Sequence, residues 1–431
     1  MSYSRRWENK RKMISIRTEK IKDTAVTVPG SKSYTHRLLI AAALSNGTCR
    51  IENMLRSEDT LLTLSALKQM GIEVNDAGDV IEITGLGGTF KPCDEPIYLA
   101  NSGTSMRLLT GICALGRGTY TLTGTPRMGE RPIGDLLDSL NRIGVRAVSV
   151  NQNNCPPVRI TGGNITGLTV DLRCHISSQY LSSLLLMAPC LEKGLSINIT
   201  KGPVSKPYID MTVDILKQLG IEVTSKGHTF YHVPGNQTYR PGQYAVEPDC
   251  SQASYFWGAA AVTGASIRVN GVTRSSRQGD VRFSEVLEQM GCRVLHEPEG
   301  ITVTGGPLTA VAVDMSDMPD IVPTLAVVAS FAKGTTRILN VAHLKEKESD
   351  RLGCVAAELN RMGIQAKAND SGLEITGGKP HGAEIRTYDD HRMAMSFSIA
   401  GLVVPGVVIQ NEECVGKSFP HYWNVFQGLY R

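Results

Sequence analysis

Residues 67–74 read LKQMGIEV, and residues 216–223 read LKQLGIEV. Both segments pass from a helix-favouring start, through a glycine, to a β-branched end. Glycine just past the last helical turn is a common C-cap, because it takes the left-handed backbone without a Cβ clash. The L-x-x-[MLI]-G pattern returns at 140–147, 287–294 and 359–366. Copies lead on to a closing strand and turn, as in Ile83-Thr84-Gly85, Ile160-Thr161-Gly162-Gly163, Val303-Thr304-Gly305-Gly306 and Ile375-Thr376-Gly377-Gly378.

A second unit alternates with the first. A helix with a polar, capped start runs apolar and ends at glycine before a short strand, over 32–53, 102–124, 177–200, 249–271, 320–340 and 390–411. Its closing glycines, Gly47, Gly118, Gly194, Gly264, Gly334 and Gly406, are spaced by 71, 76, 70, 70 and 72 residues. A period this regular makes the chain a sixfold repeat of helix, strand, helix, strand, strand. The sixth copy reaches Arg431 after its second helix, and its missing strands are available in 13–28. That predicts two domains of three repeats. One is contiguous, over 31–246; the other is discontinuous, over 13–30 plus 247–431. A basic, polar stretch over 1–12 reads as an N-terminal extension. The chain crosses between domains near Gly30 and Glu247, just before a capped helix each time, so helix N-termini should line the cleft. Helices apolar on most faces, such as 181–187 and 321–331, belong inside mixed sheets. The expected fold class is α/β.

Composition excludes several functions. With 431 residues, 41% hydrophobic and 20% charged, the chain can build large cores and is not disordered. A net charge of +4 and 6% aromatics fit no nucleic-acid-binding module, which needs a basic face with stacking rings. The longest apolar runs, such as 321–332, fall short of the roughly 20 residues of a membrane span. Ten scattered cysteines, with no C-x-x-C pair, point to reduced cytoplasmic thiols and to no structural zinc.

The capped helix starts carry the chemistry. In Gly30-Ser31-Lys32-Ser33-Tyr34-Thr35-His36-Arg37, a turn opens a helix capped by Ser31 or Ser33, with Lys32 and Arg37 at its start. Free N–H groups and cations together suit an anion, although the spacing is not that of a Walker loop. The second helices also begin with basic groups: Arg127 and Arg131 in TPRMGERP, Lys206 beside Tyr208, Lys345, Lys347 and Arg351 in KEKESDR, and Lys417. Taken singly, each is an ordinary solvated charge. An arginine at a helix N-terminus opposes the dipole at a cost of up to about 1 kcal/mol. Repeated acceptance of that cost at equivalent positions points to a polyanion. Two carboxylates stand among these cations. Asp320 reads as the cap of the fifth buried helix and Glu348 lies in KEKESDR, a pair suited to base and acid roles with tuned pKa values.

The ordered motifs GSKSxxxR, NSGTSMR, PRMxERPIGDL, SSQYLSSLLL, SKPYIDMT, KEKESDRL, YDDHRMAM and GKSFPxY resemble those of the 5-enolpyruvylshikimate-3-phosphate (EPSP) synthase family, from about Met13 onward. The resemblance implies a two-domain inside-out α/β barrel of six βαβαββ-type repeats, three per domain, with buried parallel helices. It implies a monomeric transferase that closes on its substrates and uses neither metal nor organic cofactor. The reaction moves the enolpyruvyl group of phosphoenolpyruvate to the 5-hydroxyl of shikimate 3-phosphate through a tetrahedral intermediate and releases phosphate. It serves chorismate and aromatic amino-acid synthesis, and glyphosate competes at the phosphoenolpyruvate site, where Gly103 leaves room.

Carried over by motif, Lys32, Ser33, Arg37, Ser177, Ser178, Gln179 and Ser205 are similar to shikimate 3-phosphate ligands. Asp320, His343 and Lys347 correspond to its hydroxyl contacts. Lys32, Gly103, Arg131, Gln179, Arg351, Arg392 and Lys417 resemble the phosphoenolpyruvate pocket. Asp320 and Glu348 match the base and acid, with Lys32 and Lys417 as rival proton donors. The chain departs from the family at His343, usually asparagine, at Leu108, often proline, and at Ala100 and Ser102, commonly glycine and alanine. The related transferase acting on a UDP-amino sugar shares the sixfold repeat. It usually has Asn at the position of Ser33 and a cysteine within the loop 124–132, where this chain has none.

Overall fold

A computed structural model describes residues 12–76 and 78–430. Of the expected extension 1–12, residues 1–11 lie outside the described residues. Lys12 pairs with Glu413 at 2.6 Å. The described residues form twelve α-helices: α1 (Lys32–Leu44), α2 (Glu58–Gln69), α3 (Gly103–Cys113), α4 (Gly134–Arg142), α5 (Gln179–Met187), α6 (Lys206–Gln218), α7 (Cys250–Thr263), α8 (Phe283–Gln289), α9 (Val322–Ala329), α10 (Arg351–Arg361), α11 (His391–Gly401) and α12 (Tyr422–Gln427).

The odd-numbered helices are buried almost all round. They stay free of long charged side chains beyond their second turns and touch through small hydroxyls. Thr324 Oγ1 lies 3.3 Å from Ser254 Oγ and 3.1 Å from Ser396 Oγ, joining α7, α9 and α11. The even-numbered helices α2, α4, α6, α8, α10 and α12 bury only one side. The glycines after them, such as Gly71 (φ +93°) and Gly220 (φ +81°), take the left-handed backbone.

Outside the helices lie five four-stranded sheets and one three-stranded sheet. In the four-stranded sheets one strand pairs parallel and the next two pairings are antiparallel, as in Gln243–Ala245, Asn46–Glu52, Val80–Leu86 and Glu73–Asn75. The parallel strand is the last of the preceding repeat, so three sheets close into a ring. Gln243–Ala245, at the end of the third repeat, completes the sheet of the first. The second ring is closed by the N-terminal segment. Met13–Ser15 pairs antiparallel with Val408–Gln410, and Thr24–Val26 pairs parallel with Ser266–Asn270.

The protein has a two-domain α/β fold, and the interior splits into two apolar cores. One draws on residues 16–28 and 250–429, the other on residues 34–246. The two chain crossings lie side by side. Ser31 N donates to Glu247 O at 2.7 Å, and Asp249 N donates to Pro29 O at 2.9 Å. Gly30 permits this approach, since a Cβ there would sit 1.9 Å from Asn53 O. Asp249 then serves both halves. It caps α7 through Gln252 N and accepts Lys32 N, the first amide of α1, at 2.9 Å.

Candidate active site

The first turns of α1, α3, α5 and α11 converge between the halves, together with the turns ahead of α6, α9 and α10. They line a polar cavity between them. Lys32 and Ser33 come from α1; Ser177, Ser178 and Gln179 from the start of α5; Ser205 from ahead of α6; Asp320 from ahead of α9; Lys347, Glu348 and Arg351 from the start of α10; Arg392 from α11; and Arg131 from the turn before α4. Six basic side chains, Arg107 among them, face two carboxylates, an imbalance that suits a polyanionic ligand.

Arg351 organises the charged wall. It is buried, and it donates to Asp320 Oδ1 at 2.9 Å, to Glu348 Oε2 at 2.8 Å and to both oxygens of Asp390, at 2.8 and 3.2 Å. Arg392 donates to Asp320 Oδ2 at 2.7 Å, and Tyr208 OH reaches the same oxygen at 3.2 Å. Burial alone would raise the Asp320 carboxyl, but Arg392, Lys347 and Arg351 outweigh it and hold the group far below the usual carboxylate range. The same contest, burial against Arg351, Arg131, Lys32 and Lys417, keeps Glu348 ionised. Burial lowers the Lys347 ammonium to about 8, with Asp320 working the other way.

The structure corrects the reading of Asp320 as a helix cap. Met318-Pro319 opens a 3₁₀ turn, Pro319–Ile321, and α9 begins after it with Ile321 at its N-cap. The Asp320 oxygens are taken by the two arginines instead. The other expected residues divide by position. Arg131 is held by Asn101 O at 2.9 Å and Asn101 Oδ1 at 3.1 Å, with Gly103 packed against its guanidinium. Arg37 lies behind the cavity wall, bound to Ser33 O, Thr212 Oγ1 and Ser182 Oγ. His343 backs Ser205, with Nε2 3.4 Å from its Oγ, and burial lowers its ring to about 3, leaving it neutral. Ser205 itself has a φ of 54°, a strained backbone for a non-glycine residue. Ala100, at a position where glycine is common in the family, has a φ of 44° beside Asn101.

Several residues at the site were not singled out from the sequence. Asp59, in the first turn of α2, is buried and takes Lys32 Nζ at 3.2 Å and Lys417 Nζ at 2.8 Å, one lysine from each half. Burial acts to lower the Lys417 pKa, but Asp59 and Glu348 hold it above the ordinary lysine value. Thr104 and Arg107 fix the Gln179 amide from its two ends, at 2.9 and 3.0 Å. Asp280 faces a second, smaller cavity with Asp249, Ser251 and Arg392. Repeat position is the signal for Asp59 and Asp280, since both stand at second-helix starts like Arg131 and Glu348.

A sequence profile of the family described as EPSP synthase (3-phosphoshikimate 1-carboxyvinyltransferase) matches residues 17–426. The chain belongs to the EPSP synthase family. A 3-phosphoshikimate 1-carboxyvinyltransferase of Shewanella sp. (strain ANA-3) is 41% identical over 409 residues, spanning 94% of this chain and 96% of that protein. That of Enterobacter sp. (strain 638) is 43% identical over 406 residues, spanning 93% and 95%. Among solved structures, EPSP synthase from Acinetobacter baumannii superposes with a TM-score of 0.81 at 30% identity, covering 97% of this chain and 98% of that one. The enolpyruvyl transferase NikO from Streptomyces tendae, at 21% identity, has a TM-score of 0.78 and shares the fold. As a member of the EPSP synthase family the chain is a transferase (EC 2.5.1.19), carrying out enolpyruvyl transfer in the shikimate pathway on small-molecule substrates. No helix among the described residues is long and apolar enough to cross a membrane.

Proposed function

We propose that the cavity takes shikimate 3-phosphate against Lys32, Ser33, Ser177, Ser178, Gln179 and Ser205, with Arg37 and His343 bracing that wall. Phosphoenolpyruvate fits beside it, between Lys32, Gly103, Arg131, Gln179, Arg351, Arg392 and Lys417. The observation that carries this reading is the double clamp on Asp320 by Arg351 and Arg392. Both guanidiniums can exchange their Asp320 oxygens for those of another carboxylate. When the carboxylate of phosphoenolpyruvate takes them, Asp320 loses the charges that hold its pKa down and becomes a competent base.

Asp320 then accepts the proton of the 5-hydroxyl, with Lys347 at the neighbouring hydroxyls. Glu348 delivers a proton to the methylene carbon of phosphoenolpyruvate, giving the tetrahedral intermediate. Arg351, Arg131, Lys32 and Lys417 hold Glu348 as a carboxylate, so it acts as an acid only once the substrates' negative charge neutralises those cations. Lys32 and Lys417 are the rival donors. In the second half both transfers reverse and phosphate leaves. Glyphosate occupies the phosphoenolpyruvate subsite, and Leu108, wholly buried in α3, weakens it relative to relatives with proline there.

The two cores support domains of 13–30 plus 247–431 and of 31–246, hinged at the paired crossings. The reading takes the enzyme as a monomer, and the ten unpaired cysteines fit a cytoplasmic enzyme. The test is phosphate release with phosphoenolpyruvate and shikimate 3-phosphate, followed by rapid quench of Asp320→Ala and Glu348→Gln. Each should slow turnover by at least about 10²-fold. Normal accumulation of the intermediate in Glu348→Gln would pass the donor role to the lysines.

A further inference from the structure

The turn carrying Lys347 and Glu348 is gripped from two sides. On the cavity side Arg351 holds the Glu348 carboxylate at 2.8 Å. On the other side stands Arg127, from the loop after strand Gly118–Thr123 in the opposite half. Its Nε donates to Glu348 O at 3.3 Å, and its Nη2 donates to Lys347 O at 3.0 Å and Lys345 O at 3.5 Å. Nη1 is left for Glu130 at 2.8 Å. Lys345 lies in the last turn of the 3₁₀ helix Ala342–Glu346 and the other two acceptors follow it, where terminal carbonyls lack helical partners. A planar guanidinium can serve several such carbonyls at once; an ammonium is a single point charge. Arg127 does not line the main cavity. It lines an outer groove with Asn101, Thr125 and Lys417, and its side chain is one-third exposed.

All three backbone bonds cross between the halves, so any opening of the cleft would break them. We propose that Arg127 is a positioning residue: an interdomain latch that sets the 345–348 turn, and with it Lys347 and Glu348, in the closed cleft. It acts through the backbone of groups that do chemistry and touches no substrate itself. The inference rests on the roles given above to Lys347 and Glu348.

The test compares Arg127→Ala, Arg127→Lys, Glu130→Ala and Glu348→Gln in steady-state turnover, thermal melting and small-angle scattering with saturating shikimate 3-phosphate. Arg127→Ala should lower kcat about 10- to 100-fold, the effect of losing several charge-assisted bonds and about 1 Å of alignment. It should melt like the wild type and compact less on adding substrate. Arg127→Lys should recover only part of kcat, and Glu130→Ala should match the wild type. If Arg127→Ala fails to fold, Arg127→Gln, which keeps two of the three methylenes and two donors on a shorter reach, carries the same expectation in weaker form. A wild-type kcat in the Arg127 variants, with Glu348→Gln slow, would overturn the latch alone. A fast Glu348→Gln would instead remove the role of Glu348 on which the latch depends.

Discussion

Gly103→Ala probes one wall of the cavity with a single methyl group. A Cβ on Gly103 would lie 2.4, 2.6 and 2.8 Å from Arg131 Nη2, Cζ and Nη1. Non-bonded heavy atoms settle at about 3.5 Å, so the guanidinium must retreat by about 1 Å. It cannot do so and keep both bonds to Asn101, at 2.9 and 3.1 Å. Hydrogen bonds from a charged group contribute about 1.5–3 kcal/mol each. Loss of one of them, with the charge displaced, gives an expected rise of about 10- to 100-fold in KM for phosphoenolpyruvate. The fold should not suffer, because alanine is preferred to glycine in a helix by up to about 1 kcal/mol. The assay is initial velocity with phosphoenolpyruvate varied at saturating shikimate 3-phosphate, alongside a thermal melt. The methyl meets Arg131 before it meets any ligand, so the glyphosate inhibition constant should rise with the same substitution. In an Arg131→Ala background there is no guanidinium to displace, and Gly103→Ala should then change KM by less than about twofold. Simple additivity of the two substitutions would refute the argument.

Lys347, lowered by burial to about 8, should lose its charge as pH rises through that value, so kcat/KM for shikimate 3-phosphate should fall there. Lys347→Arg should move this limb upward, and a flat wild-type profile to about pH 10 would count against it. Asp280 is pushed up to about 7, chiefly by burial and then by the charge of Asp320. The folded protein holds this proton where the unfolded chain has released it, so the carboxyl costs stability progressively from about pH 4 to about pH 7 and fully above. Asp280→Asn should therefore raise the melting temperature more at about pH 8 than at about pH 4, and equal gains would disprove the linkage. Asp59→Ala leaves two buried lysines without their shared carboxylate and should cost about 3–5 kcal/mol in urea unfolding. An unchanged midpoint would mean that Lys32 and Lys417 find other partners.

What could be read from the sequence was what local chemistry repeats. The glycines after the outer helices signal their C-caps one by one, and the spacing of the glycines that close the buried helices yields the six units before any contact is known. The shortfall of the last unit points to strands in 13–28, and Met13–Ser15 does pair with Val408–Gln410. The site was legible where cations sit at helix starts. It was not legible where a role depends on partners from distant repeats. Ser57-Glu58-Asp59-Thr60 looks like an acidic first turn that suits the helix dipole, and only the fold brings Lys32 and Lys417 to Asp59. Asp320 misleads in the same way: an aspartate ahead of an apolar run reads as a cap, until arginines from α10 and α11 claim both of its oxygens.

The borrowed strands of the second ring have a consequence for biosynthesis. The core drawn from residues 34–246 is complete once that stretch has left the ribosome, and its sheets need nothing made later. The other ring uses Thr24–Val26 beside Ser266–Asn270, from mid-chain, and Met13–Ser15 beside Val408–Gln410, from the far end. Met13–Ser15 must therefore wait, unpaired, through nearly all of translation, and Thr24–Val26 through more than half of it. Such long-range pairing is slow to form, and unpaired strand edges are open to wrong partners meanwhile. The ring that folds last is thus the one whose first strands were made first, and its completion sets when the newly made chain can close its cleft.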